Sequence, residues 1–286
     1  MSDVVKSEEP FIFKDGLLKG KVAFVTGGSS GIGLGVVHRL AQAGADIAIA
    51  SRREEQCARV ASEIARLYGV RAIGLGMDVR DSGVVNQTFR RVVDELGQLD
   101  ILVNNAAGNF YFPAHKLRDK LWHAVIDIDL NGTFYCCRAA HRHMKDRGGH
   151  IVSISMTLHK DGWVGMAPAC AAKSGIDALT KTLALEWARF GIRVNAVAPG
   201  PIVTEGVTKA FEKGGDFEKF VHTIPLRRGG KPEEIGDMIV FMSSPSGSWM
   251  TGSIVVMDGG ESISPHRGSP DPEELDRMLA ERKQSD

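Results

Sequence analysis

Seven short apolar runs punctuate the chain: Val22 to Thr26, Asp46 to Ser51, Ala72 to Met77, Ile101 to Asn105, His150 to Ser155, Arg193 to Ala198 and Ser253 to Met257. Each is rich in Val, Ile or Ala and nearly unbroken by charge, the pattern of strands buried on both faces. Between them lie longer segments with helical spacing, among them Leu34 to Ala45, Glu54 to Tyr68, Ser82 to Leu96, Leu117 to Asp146 and Ala167 to Phe190. Strand alternating with helix predicts the α/β class: a single doubly wound domain with a seven-stranded parallel sheet and helices on both faces, joined by right-handed crossovers. Residues 15–262 are expected to form it.

The flanks and one internal region break the alternation. Residues 1–14 read as an N-terminal extension, and residues 263–286 as a charged C-terminal tail, either a solvated appendage or a helix lying on a neighbouring subunit. Residues 204–228 lack strand signals and hold Gly214 and Gly215 beside Phe211, Phe217 and Phe220, the composition of an active-site lid or of a helical insertion. With 43% hydrophobic and 24% charged residues among 286, disordered, collagen-like and coiled-coil readings are excluded. The 35 basic residues balance the 35 acidic ones, so no net field draws nucleic acid or an anionic membrane, and neither is expected as a partner. The four cysteines lack metal-ligand spacing and are expected to be reduced core thiols, with no metal site. No apolar run reaches the roughly 18–20 residues of a membrane span, the charged start is not a signal peptide, and the last residues, Gln284-Ser285-Asp286, are not a peroxisomal Ser-Lys-Leu address. A cytoplasmic location is the expectation.

The first strand runs directly into Thr26-Gly27-Gly28-Ser29-Ser30-Gly31-Ile32-Gly33, after which a helix opens. At a strand-to-helix turn Gly27 takes the tight bend, Gly31 lets backbone approach a pyrophosphate, and Gly33 lets helix pack on strand, while the helix N-terminus supplies unpaired N–H groups. This is the Rossmann pattern for a dinucleotide. A site for NAD ends its second strand in Asp or Glu, which accepts the ribose 2′-hydroxyl. Here that strand ends in Ser51-Arg52-Arg53. A guanidinium binds a 2′-phosphate with two charge-assisted hydrogen bonds where a carboxylate repels it, so the expected cofactor is NADP(H), with Arg52 its principal contact.

From here the residues resemble the short-chain dehydrogenase/reductase family along nearly the whole core. Asp78-Val79 is similar to the family's adenine contact, Asn104-Asn105-Ala106-Ala107-Gly108 to its strand-end motif, and Asn195 with Pro199-Gly200-Pro201-Ile202 to its nicotinamide-side loop. Lys173 stands where the catalytic helix carries its lysine, and Asp258-Gly259-Gly260 closes the last strand. The catalytic residues depart from the pattern. The tyrosine that serves carbonyl reduction, four residues before the lysine, is replaced by Ala169; the serine is replaced by Met156, and the helix asparagine by Asp129. None of the three tyrosines, Tyr68, Tyr111 and Tyr135, has a lysine four residues later. Ordinary carbonyl reduction is therefore not expected.

The 2,4-dienoyl-CoA reductase branch also lacks that tyrosine, and this sequence resembles it in Ala106-Ala107-Gly108-Asn109-Phe110, in Asp127-Ile128-Asp129-Leu130-Asn131-Gly132 and in Met156-Thr157-Leu158. The peroxisomal type is the nearer likeness, because the position fifteen residues before the lysine, a tyrosine in the mitochondrial type, is Leu158. The resemblance implies an NADPH-dependent reduction of 2,4-dienoyl-CoA to 3-enoyl-CoA in unsaturated fatty acid oxidation. In that reaction Lys173 would hold the nicotinamide ribose and favour the developing anion, Asn109 would donate to the thioester oxygen, and Asp129 would protonate Cα, directly or through a water that Asp258 helps to order. Tyr111 and His159 are alternative proton donors, Asp127 is expected to be structural, and Lys116, Arg118 and Lys120 are either contacts for coenzyme A phosphates or a charged helix surface. Family analogy implies a homotetramer. Two rivals remain: a reductase of another activated alkene such as 2-enoyl-CoA, and an inactive NADP(H)-sensing or scaffold protein.

Overall fold

In a computed structural model, residues 10–157, 162–204 and 221–264 are described. Strands β1 (Val22–Thr26), β2 (Asp46–Ser51), β3 (Ala72–Gly76), β4 (Ile101–Asn104), β5 (Gly149–Ile154), β6 (Ile192–Pro199) and β7 (Ile254–Met257) form one parallel sheet in the order β3-β2-β1-β4-β5-β6-β7. The direction of winding reverses between β1 and β4, and the crevice at their carboxyl ends is where such sheets bind ligands.

The strands alternate their side chains between two cores, as a period of two demands. Ala23, Val25, Ile47 and Ile49 point into one, closed by α1 (Gly31–Gln42), α2 (Glu54–Tyr68) and a later helix, Pro232–Ser243. Val22, Phe24, Ala48 and Ala50 point into the other, closed by α3 (Ser82–Leu96) and by two helices downstream of β4 and β5. Phe24 and Phe89 meet there edge to face at 4.8 Å, a geometry that suits the ring quadrupoles.

The expected helix from Leu117 to Asp146 is three pieces. A 3₁₀ turn at Ala114–Lys116 precedes α4 (Asp119–Ile126), a π-helical turn follows at Asp127–Asn131, and α5 runs Gly132–Met144. Asp127 and Asn131 keep ordinary helical dihedrals, so the extra residue of the π turn leaves no mark on the apolar spacing. The helix that carries Lys173, α6 (Ala167–Trp187), ends in a 3₁₀ turn at Ala188–Phe190. The helix Pro232–Ser243, here α7, carries the start signals that define it: a proline in its first turn and Glu234, whose carboxylate accepts the Lys231 N–H at 2.7 Å.

Phe11 and Phe13 pack on the first core, and the Arg39 guanidinium lies 5.8 Å from the Phe11 ring centroid, so residues 10–14 belong physically to the domain. Residues 1–9, the stretch 205–220 of the expected lid and the tail from 265 lie outside the described residues. Three of the cysteines are buried and Cys170 is half-buried, all as free thiols. Among the described residues, no helix is long and apolar enough to cross a membrane and no His, Cys, Asp or Glu cluster is arranged for a metal.

Candidate active site

The crevice past β1 opens into a cleft of about 530 Å³ lined by the glycine turn, the end of β2, Asp78, Val79 and Asn105-Ala106-Ala107. Its floor is a web of internal bonds. Thr26 Oγ1 accepts the N–H groups of Asn105 and Ala106, each at 3.0 Å, and Asn105 Nδ2 donates back to the carbonyls of Thr26 and Gly27 at 3.0 and 3.1 Å. Gly27 has φ +66°, and a Cβ on Gly33 would stand 2.4 Å from both the Gly27 oxygen and Asn105 Nδ2. Only glycine fits at Gly33 without displacing the turn. Gln56 Nε2 holds the Ser29 carbonyl at 3.0 Å, while Ile32 packs its side chain against the first core.

The first turn of α1 carries no acidic side chain, and the Ser30 side chain makes no capping bond. Its N–H groups thus remain to be satisfied, as an anion would do. Beside it, Ser51, Arg52 and Arg53 line the cleft, and no carboxylate stands at the end of β2. Asp78 is chelated by Arg80, whose Nε reaches Oδ1 and Oδ2 at 2.9 and 3.0 Å. Those hydrogen bonds, with the nearby Arg52 charge, hold its carboxyl below the usual range. Past the end of the sheet, β6 stops at Pro199, and Gly200 is bound by tight space: a Cβ there would lie 2.6 Å from the Asp258 Cβ. Ile202 bridges to Gly230, and Thr204 approaches Gly31 closely enough that a Cβ on Gly31 would sit 3.7 Å from the Thr204 methyl. These residues together fit a nicotinamide dinucleotide.

Beyond Ala107 the site changes character. The π turn rolls Asp129 inward until it is 1% exposed. Its Oδ1 accepts the Gly108 N–H at 2.8 Å, and its Oδ2 lies 3.8 Å from Lys173 Nζ. Burial raises the Asp129 carboxyl, opposed by the Lys173 charge and the Gly108 bond. Lys173 is buried too, and donates to the Ile154 carbonyl at 2.7 Å; burial pulls its ammonium down, and Asp129 and Asp177 push it up. One turn before Lys173, where the phenol is missing, Ala169 belongs to an apolar wall with Val125 and Met166, backed by Phe110, Met156 and Cys170.

Tyr68 bonds His38 at 2.8 Å, Tyr135 lies beside Arg138, and Tyr111 is 66% exposed on the loop after β4. Asn109 is exposed on the same loop, next to Gly108. Asp127 accepts from Asn131 at 2.8 Å and stays within its own turn. Leu158 and His159 lie outside the described residues.

Two residues of the expected site sit elsewhere or are already engaged. Asn195 is fully buried inside the sheet, where Nδ2 donates to the Met250 carbonyl and faces His150 Nε2, and Oδ1 accepts the Ser253 N–H. It ties β6 to its neighbours and is four residues short of the nicotinamide-side loop. Asp258 accepts the Gly260 N–H on Oδ1 at 2.9 Å and the Ser262 N–H on Oδ2 at 2.8 Å, which holds the turn after β7. The sequence reading missed Asp177, whose Oδ1 accepts the Ser155 hydroxyl at 2.6 Å, and Glu261, which is buried and accepts from Thr157 at 3.3 Å. A carboxylate one helical turn after Lys173 was the available signal for the first.

A family model described as enoyl-(acyl carrier protein) reductase matches residues 27–262. A Bacillus subtilis (strain 168) protein named a probable 2,4-dienoyl-CoA reductase, producing (2E)-enoyl-CoA, is 40% identical over 86% of this chain and 98% of its own. The Danio rerio peroxisomal 2,4-dienoyl-CoA reductase, named for a (3E)-enoyl-CoA product, is 38% identical over 91% of this chain and 87% of its own. Among solved structures, the citronellol catabolism dehydrogenase AtuB of Pseudomonas aeruginosa PAO1 superposes with a TM-score of 0.78 at 33% identity, covering 88% of this chain and 98% of that one. A short-chain-alcohol-dehydrogenase-like protein of Sinorhizobium meliloti 1021 superposes with a TM-score of 0.82 at 38% identity, covering 86% and 98%. With the glycine turn, the Asn105 web and the buried lysine in place, the chain belongs to the short-chain dehydrogenase/reductase family, as an oxidoreductase similar over its core to the 2,4-dienoyl-CoA reductases.

Proposed function

We propose that the protein reduces 2,4-dienoyl-CoA thioesters with NADPH. The observation that carries this reading is the buried pair Asp129 and Lys173, 3.8 Å apart, beside an apolar wall where the family's phenol is replaced by Ala169. The cofactor, when bound, supplies a hydride to Cδ of the diene. Arg52 and Arg53 would hold its 2′-phosphate, the α1 N-terminus its pyrophosphate, and Lys173 its nicotinamide ribose.

Hydride addition at Cδ pushes electrons through the conjugated system onto the thioester oxygen. The enolate that results needs positive potential at oxygen and a proton at carbon. Lys173 contributes preorganised positive charge, and Asn109, exposed on the loop after Gly108, donates an amide N–H to that oxygen. An aspartate at its solution pKa near 3.9 is a poor acid at neutral pH, and burial shifts Asp129 upward, the direction this role requires. Because Oδ1 is occupied by the Gly108 N–H, the proton resides on Oδ2. Delivery to Cα gives 3-enoyl-CoA. Lys116, Arg118 and Lys120 stand exposed at the start of α4 and suit the coenzyme A phosphates; a homotetramer and a cytoplasmic location complete the reading.

NADPH oxidation with 2,4-hexadienoyl-CoA, crotonyl-CoA and a ketone panel tests it. Turnover of the dienoyl thioester is expected to exceed the others, and Asp129→Asn to lower kcat by about 10²–10⁴-fold, the usual worth of a general acid, with NADPH affinity retained. Preference for crotonyl-CoA points to a 2-enoyl reductase, and absence of all turnover to a binding protein; either discards the proposal. The relatives' names divide between (2E) and (3E) products, and the double-bond position in the isolated product decides between Cγ and Cα protonation.

A further inference from the structure

A single buried ammonium faces two carboxylates in this site. If Asp129 holds a proton to deliver, it no longer offers Lys173 a countercharge, and a buried cation without one tends to release its own proton. Asp177 lies one helical turn beyond Lys173 on α6, within the range of i,i+4 neighbours. Its half-exposed carboxylate is bound by the Ser155 hydroxyl at 2.6 Å, and Ser155 follows Ile154, whose carbonyl receives Lys173 Nζ at 2.7 Å. The same clamp therefore sets the end of β5 against α6, with the Ile154 carbonyl on the ammonium and the Asp177 carboxylate held one helical turn along.

We infer that Asp177, fixed by Ser155, is a positioning residue whose negative charge keeps Lys173 protonated while Asp129 is neutral. The inference rests on Asp129 as the acid of the proposed reaction. Around Lys173, the π turn contributes Asp129, α6 contributes Asp177, and β5 contributes the Ile154 carbonyl and the Ser155 hydroxyl. The charged residues of α4, Asp119, Lys120 and His123, are exposed, and Arg193 of β6 bonds the carbonyls of Met242, Gly247 and Met250. Of these groups, Asp129 and Asp177 favour the charged lysine against its burial.

The test follows NADPH binding by cofactor fluorescence from pH 7 to 10.5 to the full-length protein carrying Asp129→Asn, the parent for this comparison, in which position 129 is uncharged at every pH. Since Lys173 would touch the nicotinamide ribose, affinity falls where the lysine loses its proton. Asp177→Asn is expected to move that alkaline break down by about one pH unit or more, a tenfold change in the protonation ratio; Asp177→Glu restores it and Ser155→Ala shifts it less, in the same direction. A merely structural role would weaken binding equally at every pH. An Asp177→Asn profile that parallels the parent's overturns the inference, and if that variant fails to fold, an unshifted Ser155→Ala profile does so. Turnover of hexadienoyl-CoA is read separately, on the unsubstituted protein. A shifted break without turnover retains Asp177's role and discards the substrate, whereas turnover with an unshifted break discards Asp177 alone.

Discussion

Arg52 illustrates what one residue decides in an open cleft. It is exposed, so an ion pair with protein would contribute little, but the 2′-phosphate of the proposed cofactor would give it a bidentate partner. Arg52→Ala is expected to raise the Kd of NADPH about 10- to 100-fold, the equivalent of one strong charged hydrogen bond of about 1.5–3 kcal/mol, and to leave NADH nearly unaffected; parallel fluorescence titrations with the two nucleotides check this. The sequence singles out Arg52 by its place just after β2, and Lys173 and Ala169 by their resemblance to the family's lysine-bearing helix. The roles of Asp258 and Asn195 were not legible in it, because a carboxylate or amide in a motif looks the same whether it faces a ligand or caps a turn. Only their hydrogen-bond partners separate the two roles.

Elements place these residues through close approach. The glycine turn works because α1 descends onto β1 with nothing between Gly33 and the Gly27 carbonyl, and Asn105 closes the gap from β4. Gly33→Ala puts a methyl 2.4 Å from that carbonyl. It is expected to destabilise the fold by about 1–3 kcal/mol, as overpacking does, and to weaken NADPH binding as the turn shifts; thermal unfolding with and without cofactor measures both. The π turn is the other decisive element. Frequent at functional sites, it adds one residue between α4 and α5, so that Asp129 turns toward Gly108 and Lys173. Thr133 Oγ1 takes up the Asp129 carbonyl at 2.6 Å. Periodicity foretold a continuous helix there, because Asp127 and Asn131 at the two ends of the π turn keep helical dihedrals and the inserted residue leaves the flanking helical spacing unbroken.

Over the whole molecule, two buried histidines set an acid limit on stability. Burial, with the Arg39 charge, lowers His38 from 6.5 to about 4, and burial holds His150 well below its usual value. His150 is locked neutral by geometry: the Ser253 N–H fixes the Asn195 amide, which turns Nδ2 toward Nε2 at 3.0 Å, so Nε2 must accept and Nδ1 faces Ser243 Oγ. Between pH 6.5 and about 4 the unfolded chain binds more protons than the folded one, so stability rises with pH there and is lost as pH falls. Urea unfolding at pH 7.5 and at pH 5 is expected to show a lower midpoint at the acid value. An unchanged midpoint would mean that neither imidazole is held neutral.

What the sequence by itself determined was the architecture and the inventory. Seven apolar runs separated by helices leave one economical arrangement, a parallel sheet with both faces covered, and the strand-end motifs assign the cofactor crevice and the missing phenol. The tertiary structure alone decided the electrostatics. Whether a carboxylate is an acid depends on its burial and on which charges stand within a few ångströms, and Gly108, Asp129, Ile154, Lys173 and Asp177 come together from four separate parts of the chain. Dielectric and distance are properties of the folded arrangement, so no spacing along the chain encodes them.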